Sequence, residues 1–213
     1  MLLAVAVIGS GIMVQRLTSD GAVALLANTL ATAATLAVLI GVLAPISAAH
    51  FNPAVSLVSL LRGQLSPPAA TAYVIAQLLG CCLGAVLAHA MFELPLIQTA
   101  THARAGFGQL ISELVATAGL VTALLSCTTS KQAVWRVTAW IGAAYWFTAS
   151  TSFANPAITI ARAVSDTFAG IRPADVPAFI AMQAVGALVG LAVARWLFSA
   201  DTHGDMEAAA APE

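Results

Sequence analysis

The stretch HFNPAVSL at residues 50–57 decides the fold, because its Asn-Pro-Ala sequence returns in SFANPAITIAR at residues 152–162. Asn is a preferred helix N-cap, and Pro at the first helical position loses no hydrogen bond that the helix needs. Each Asn-Pro therefore predicts the start of a helix. One copy would be an ordinary helix start. Two copies, each within an apolar part of the chain, indicate a repeated structural feature.

The composition is that of a protein embedded in a membrane. Of the 213 residues, 60% are hydrophobic and 8% are charged, whereas a soluble domain carries about 25% charged residues. The 8 Lys and Arg nearly balance the 9 Asp and Glu, which excludes the strong net charge typical of nucleic-acid binding. Cys81, Cys82 and Cys127 all lie in apolar runs and show no metal-ligand spacing. We predict an integral multi-pass membrane protein without a metal or a cofactor.

The apolar runs between charged and turn residues predict six membrane spans, since about 20 apolar residues cross a bilayer. Two further segments, 52–61 and 155–165, are too short to cross and read as half-helices that begin at the two Asn-Pro pairs. The predicted spans are 1–16, 22–44, 69–92, 107–128, 133–150 and 175–198.

The order of these segments predicts an internal duplication. Two spans, one half-helix and one span occur twice, in repeats that cover 1–92 and 106–198 of a single domain, 1–198. Because each repeat has an odd number of spans, the second repeat enters the membrane with inverted topology. The polar, Ala-rich segment 199–213 is predicted to be a disordered tail.

Inverted repeats bring the two half-helices in from opposite faces, so that Asn52 and Asn155 meet near the membrane midplane. Non-helical backbone at that depth is tolerated where it is buried in protein or lines a wet cavity. The two helix N-termini place the positive ends of their dipoles there. Such a centre repels cations and hydrated protons and lets small neutral solutes pass.

These residues resemble the aquaporin, or major intrinsic protein, family. ISAAHFNPAVSL at 46–57 is similar to that family's S-G-x-H-x-N-P-A-V-x motif, and Glu113 in SELVATAGL matches a glutamate of the family's fourth helix. The resemblance implies an all-α membrane protein, an aquaporin-like bundle of six transmembrane helices plus two re-entrant half-helices. It implies a non-enzymatic, homotetrameric channel whose pore is formed by Asn52, Pro53, Ala54, Asn155, Pro156 and Ala157.

Two departures from the family pattern affect the interpretation. Typical members have Arg directly after the second Asn-Pro-Ala, where this chain has Ile158. The family's spacing places the selectivity constriction at Thr32, Ala143, Ser152 and Ile158, a small and uncharged set that predicts a wide pore. Members also carry a glutamate early in helix 1, ahead of the first residue of this chain. A start codon assigned too far downstream, or a truncated form of the protein, would explain that difference.

Arg162 lies four residues after Ile158, and therefore one turn further along the same helix face. With the N-terminus inside, this places Arg162 about 6 Å nearer the outer surface. Two interpretations stay open at this point. Arg162 is a vestibule arginine that restores part of the barrier to cations, or it is a structural arginine that bonds loop carbonyls or pairs with Asp166.

Three further polar residues carry expectations. We expect Glu113 to accept hydrogen bonds from the backbone of the loop before Asn52, as its family equivalent does. By resemblance, His50 lies at the inner side of the pore in a structural and pore-lining role, with gating by protonation as the alternative. His89 reads as an interfacial or loop residue.

The solute is the least determined property. NPAITIARAVSDTFAGI resembles a bacterial branch of the family associated with arsenic resistance. Arsenite, neutral as As(OH)3 at pH 7, has the size of glycerol, and a wide uncharged constriction suits it and its methylated forms. We therefore predict a passive channel for water, glycerol and arsenite-like solutes in the bacterial inner membrane. The alternatives are an alternating-access secondary transporter and a non-conducting protein with a shortened first helix.

Overall fold

The computed structural model describes residues 1–198, and all regular structure in this part of the chain is helical. A 3-10 turn, Pro173–Asp175, precedes the last helix. The predicted tail, 199–213, lies outside the described residues. The helices are α1 Leu2–Leu17, α2 Gly21–Ser47, α3 Pro53–Leu61, α4 Pro67–Met91, α5 Phe107–Leu125, α6 Ser130–Phe147, α7 Pro156–Ala163 and α8 Val176–Phe198.

The order of long and short helices is the one that the sequence predicts. Long, long, short, long occurs in α1 to α4 and again in α5 to α8, and no predicted boundary is more than three residues from an observed one. The prediction succeeds because turn residues and helix caps punctuate the apolar runs. Asp20, Ser66 and Thr129 each accept a backbone N–H of the helix that follows.

Four of the long helices, α2, α4, α5 and the segment that ends in α8, are long and apolar enough to cross a membrane. The other two are less typical spans. Helix α1 has 16 residues, and α6 has 18 residues, with Lys131 and Arg136 near its start. Bulky apolar side chains such as Leu30, Val38 and Leu79 are exposed on the outside of the bundle. A lipid-facing surface requires such side chains.

Small residues bring pairs of long helices into close contact. Gly186 of α8 lies so near α5 that an added Cβ would be 2.5 Å from the Leu114 carbonyl oxygen. Gly84 of α4 lies equally near α1, 2.5 Å from the Met1 carbonyl oxygen by the same measure. Close backbone approach through glycine is the usual way in which membrane helices pack. The glycine pairs with a spacing of four residues, Gly80 and Gly84 of α4 and Gly186 and Gly190 of α8, have this role.

The two short helices lie inside the bundle and meet each other. Helix α3 packs against α4 and α8, and α7 packs against the same two helices. Both are buried along much of their length, through residues such as Val58 of α3 and Ala161 of α7. The long helices therefore surround two short ones whose N-terminal ends face a common centre, which positions the site described next.

Candidate pore

Asn52 and Asn155 each cap a short helix and bond the loop before the other one. The Asn52 Oδ1 accepts from the Ala54 N–H at 2.9 Å, while its Nδ2 donates to the Ala154 carbonyl at 2.6 Å. The Asn155 Oδ1 accepts from the Ala157 N–H at 3.0 Å, while its Nδ2 donates to the Phe51 carbonyl at 2.9 Å. One hydrogen of each amide group is therefore engaged across the centre of the molecule.

The loops before the two asparagines have the same unusual backbone. Residues four, three and one before each Asn have positive φ: Ala48, Ala49 and Phe51 in the first loop, and Thr151, Ser152 and Ala154 in the second. Non-glycine residues seldom adopt this region, and each such residue stores about 1–3 kcal/mol of strain. Such a backbone persists only where the surroundings hold it.

Glu113 holds the second of these loops. Its carboxylate is fully buried and accepts from the Phe153 and Ala154 N–H groups, both at 2.9 Å. The Gln183 Nε2 also donates to it, at 2.6 Å. The prediction that Glu113 binds the loop before Asn52 is therefore wrong. Glu113 belongs to α5, and the loop before Asn155 is the one that reaches it.

A cavity of about 320 Å³ passes both asparagines. At one end its wall contains Cys127 and the start of α6, and at the other end it contains Ile158 and Arg162. Polar groups lie at its centre, at the Arg162 end and, as Thr128, Thr129 and Ser130, at the Cys127 end. The stretch between the centre and Cys127 is lined mainly by apolar side chains, namely Leu36, Ile40, Ala44, Val55, Leu120, Leu124, Val137 and Ile141.

Three of the four predicted constriction residues, Thr32, Ser152 and Ile158, line this cavity, and the fourth does not. Ala143 is exposed and lies outside the cavity wall, so its prediction is wrong. Helix α6 presents Ile141 and Tyr145 instead. Both lie two residues from Ala143, which is about 200° around a helix.

Tyr145 changes the expected shape of the constriction. Its phenol is buried and donates a hydrogen bond of 3.3 Å to the Thr32 Oγ1, across the gap between α6 and α2. An aromatic ring thus stands where the spacing predicts an alanine methyl group. Ser152 also belongs to the cavity wall, and its Oγ is buried and has no hydrogen-bond partner within the described residues.

Arg162 lines the cavity and also bonds a loop carbonyl. It is 2% exposed, its Nε donates to the Ala169 carbonyl, and its guanidinium carbon lies 3.3 Å from the centre of the Phe153 ring. The predicted bond to a loop carbonyl is confirmed. The predicted pairing with Asp166 is wrong, because Asp166 accepts from the N–H and O–H of Thr101, at 2.8 and 2.9 Å.

Arg104 is the second buried arginine of this region, and the sequence predicts no role for it. It is 5% exposed and belongs to the loop between α4 and α5. Its guanidinium group donates to the carbonyls of Gly170, Ser150 and Phe168, at 2.8, 3.2 and 3.3 Å. A lone arginine in a loop gives no periodic signal in a sequence, and its ordinary interpretation is a solvated surface charge.

Two histidines are held by hydrogen-bond partners, and only His89 departs from its expected place. His50 lines the cavity, and its ring nitrogens contact the Oγ atoms of Ser56 and Ser59, at 3.1 and 3.3 Å. His89 is fully buried between the Leu96 carbonyl and the Ser165 Oγ, at 2.8 and 2.9 Å. The expectation of an interfacial or loop residue is therefore wrong for His89, which joins α4 to the loop after α7.

The loops at the Arg162 end contain carboxylates with stabilised charges. The hydrogen bond from Arg172, at 2.8 Å, is the main reason why the pKa of Asp175 lies below its ordinary value of 3.8. The hydrogen bonds from Thr101 likewise lower the pKa of Asp166. Both groups are therefore ionised at neutral pH, and both tie together loops that surround this end of the cavity.

Comparison with known proteins agrees with this architecture. The family model described as "Major intrinsic protein" matches residues 1–148. The chain is 52% identical over 198 residues to aquaglyceroporin AqpS of Rhizobium meliloti (strain 1021), an alignment that covers 92% of this chain and 85% of that protein. The chain belongs to the major intrinsic protein family.

More distant members of the major intrinsic protein family match over a shorter part of the chain. The lens fiber major intrinsic protein of Gallus gallus is 37% identical over 101 residues, which is 45% of this chain and 38% of that protein. Aquaporin-6 of Rattus norvegicus is 36% identical over 101 residues, or 45% and 37%. As a member of this family, the chain is a multi-pass membrane protein of the channel class rather than an enzyme.

Proposed function

We propose that the protein is a passive channel for small neutral solutes and that the cavity between Asn52 and Asn155 is its pore. The observation that carries the proposal is the continuity of this cavity. It runs from Cys127, past the capped starts of both short helices, to Arg162. In this proposal, Pro53, Ala54, Pro156 and Ala157 shape the two helix starts, and the remaining amide hydrogens of the asparagines face the solute.

The charges around the cavity support conduction of neutral solutes over cations. Two helix N-termini direct their positive ends to the centre, and Arg162 adds a full positive charge at one end. No carboxylate contributes to the cavity wall within the described residues. Glu113 is a buried acid near the pore, and both of its carboxylate oxygens accept hydrogen bonds from backbone N–H groups or from Gln183. An alternating-access transporter usually coordinates its coupling ion with midplane groups, and Glu113 is not free for this.

The cavity wall favours solutes that have both hydroxyl groups and an apolar side. Ser152 and Asn155 offer polar contacts at the constriction, while Ile158 and the residues toward Cys127 are apolar. The similarity to aquaglyceroporin AqpS supports glycerol as a solute beside water. Arsenite as As(OH)3, with its methylated forms, is the finer proposal and rests on size and on the resemblance at 155–171.

The cellular context is also a proposal. The exposed apolar side chains on α2, α4 and α8 suit both lipid contact and contact with further copies, and the family resemblance favours a homotetramer. The relative from Rhizobium meliloti favours a bacterial inner membrane.

Stopped-flow light scattering on proteoliposomes tests the proposed function. We expect the rates of water and glycerol entry to be well above those of protein-free vesicles and to rise linearly with the gradient. Arsenite should enter at a rate similar to that of glycerol. Water flux alone would refute the solute class and retain the channel. Saturable flux that follows an ion gradient would indicate the transporter, and flux equal to lipid background would indicate a non-conducting protein.

A further inference from the structure

We propose that Arg104 is a positioning residue for solute selection. This inference rests on the proposed function. In this proposal Arg104 fixes the two loops that form the Arg162 end of the pore and thereby orients Ser152, Phe153 and Arg162 in its wall. Arg104 itself does not line the cavity. Its effect on a solute therefore passes through the residues that it holds.

The two buried arginines divide three consecutive carbonyl groups between them. Arg104 takes the carbonyl oxygens of residues 168 and 170, and Arg162 takes that of residue 169, between them. Three consecutive peptide groups are thus turned toward two guanidinium groups. The acceptor of Arg162 is held in place from both sides by Arg104.

Arg104 also bonds the loop before Asn155, which contains the constriction residue Ser152. Its Nη1 donates to the Ser150 carbonyl, and the Ser150 Oγ accepts from the Ser152 N–H at 3.2 Å. Ser152 has positive φ, as do Thr151 and Ala154. Arg104 thus supports the strained backbone that places Ser152 in the cavity wall, and Glu113 holds the same loop at Phe153 and Ala154.

Both arginines also contact the same aromatic ring, that of Phe153. The guanidinium carbon of Arg104 lies 4.9 Å from the centre of the Phe153 ring, and that of Arg162 lies 3.3 Å from it. Phe179 fixes the same ring by an edge contact, with centroids 5.2 Å apart. Phe153 thus contacts both guanidinium groups, so that a change at Arg104 reaches Arg162 through this ring as well as through residues 168–170.

A guanidinium group is the side chain that this arrangement requires. It offers five N–H donors in a planar fork, enough for three carbonyls that point from two loops. Lys has one ammonium group on a flexible stem and cannot span the same acceptors. Arg104→Lys therefore keeps the charge and loses most of the positioning, while Arg104→Gln loses both.

The test measures selectivity in the same vesicles that report total flux. Wild type, Arg104→Lys and Arg104→Gln are reconstituted at equal protein density, with Arg62→Gln as a control that removes an exposed arginine. Water and glycerol permeabilities come from stopped-flow scattering, and proton leak from an entrapped pH-sensitive dye. The glycerol-to-water ratio is independent of how much protein is active, so a merely structural loss leaves it unchanged.

We expect Arg104→Gln to raise the glycerol-to-water ratio by about ten-fold, equal to about 1.4 kcal/mol in the difference of barriers, and to raise proton leak. Arg104→Lys should change the ratio in the same direction with less proton leak, and Arg62→Gln should match wild type. A ratio and a leak that match wild type in both Arg104 variants would overturn the proposal. Were Arg104→Gln not recovered folded, Arg104→Lys decides it by the same ratio. Wild type without solute flux would refute the proposed function instead.

Discussion

Asn52 and Asn155 are related by an exchange of hydrogen bonds: the side-chain amide of each donates to the carbonyl of the residue that directly precedes the other. Each also caps its own helix with its side-chain oxygen. One side chain therefore fixes a helix start and the position of the opposite loop together. The repeated Asn-Pro-Ala is explained by this double role, which a serine or an aspartate cap cannot fill because neither has an amide donor.

Asn52→Asp should raise the cation conductance of the channel. The carboxylate keeps the cap to Ala54 but places a negative charge on the cavity wall and an oxygen against the Ala154 carbonyl. Asn28→Asp is the matched control, because Asn28 is also buried and also donates to a carbonyl, that of Val7, yet lies outside the cavity. Electrical recordings in planar bilayers should show cation leak in Asn52→Asp alone. Equal leak in the two variants would argue against a charge barrier at the centre.

Ile158→Arg should lower glycerol flux more than water flux. Ile158 is 4% exposed and lines the cavity, so a long charged side chain there narrows the pore one turn before Arg162. Ile158→Leu conserves volume and serves as the control. The glycerol-to-water permeability ratio from stopped-flow scattering should fall about ten-fold below that of wild type. This corresponds to a change of about 1.4 kcal/mol in the difference between the two barriers. A ratio equal to that of Ile158→Leu would mean that residue 158 does not contact the solute.

Much of this site could be predicted from sequence, because caps and apolar runs are local signals. Asn52 and Asn155, as helix caps, and the bounds of α3 and α7 follow from a few residues each. Ala143 fails for the opposite reason: a spacing counted back from Asn155 crosses the loop 148–154, and a shift of two residues there selects the other face of α6. The roles of Glu113, His89 and Arg104 depend on loops that approach from distant parts of the chain, for which local periodicity holds no information.

Tyr145→Ala should widen the constriction. The variant removes a buried ring and its bond to the Thr32 Oγ1 and leaves an alanine of the kind that the sequence spacing predicts for this wall. We expect a higher permeability for solutes larger than glycerol relative to water. Tyr145→Phe retains the ring and loses the hydroxyl group, and should change this ratio less than Tyr145→Ala. Light-scattering traces with a series of polyols of increasing length measure the effect. A cutoff in polyol length that is the same for both variants would place the narrowest point elsewhere.

Glu113→Gln should destabilise the fold more than the loss of a single hydrogen bond. The carboxylate accepts three bonds, from the Phe153 and Ala154 N–H groups and from Gln183, and a Gln amide nitrogen would face one of these donors. We expect a loss of about 2–4 kcal/mol in the free energy of unfolding, since bonds to buried charged groups contribute about 1.5–3 kcal/mol each and are lost only in part. Ser112→Ala is the comparison. It removes one 3.0 Å bond, which the Ala149 N–H of the same loop donates to the Ser112 Oγ, and should cost about 1 kcal/mol. Thermal unfolding in detergent ranks the stabilities of the variants. If Ser112→Ala destabilises the protein as much as Glu113→Gln does, Glu113 is not the main support of the loop before Asn155.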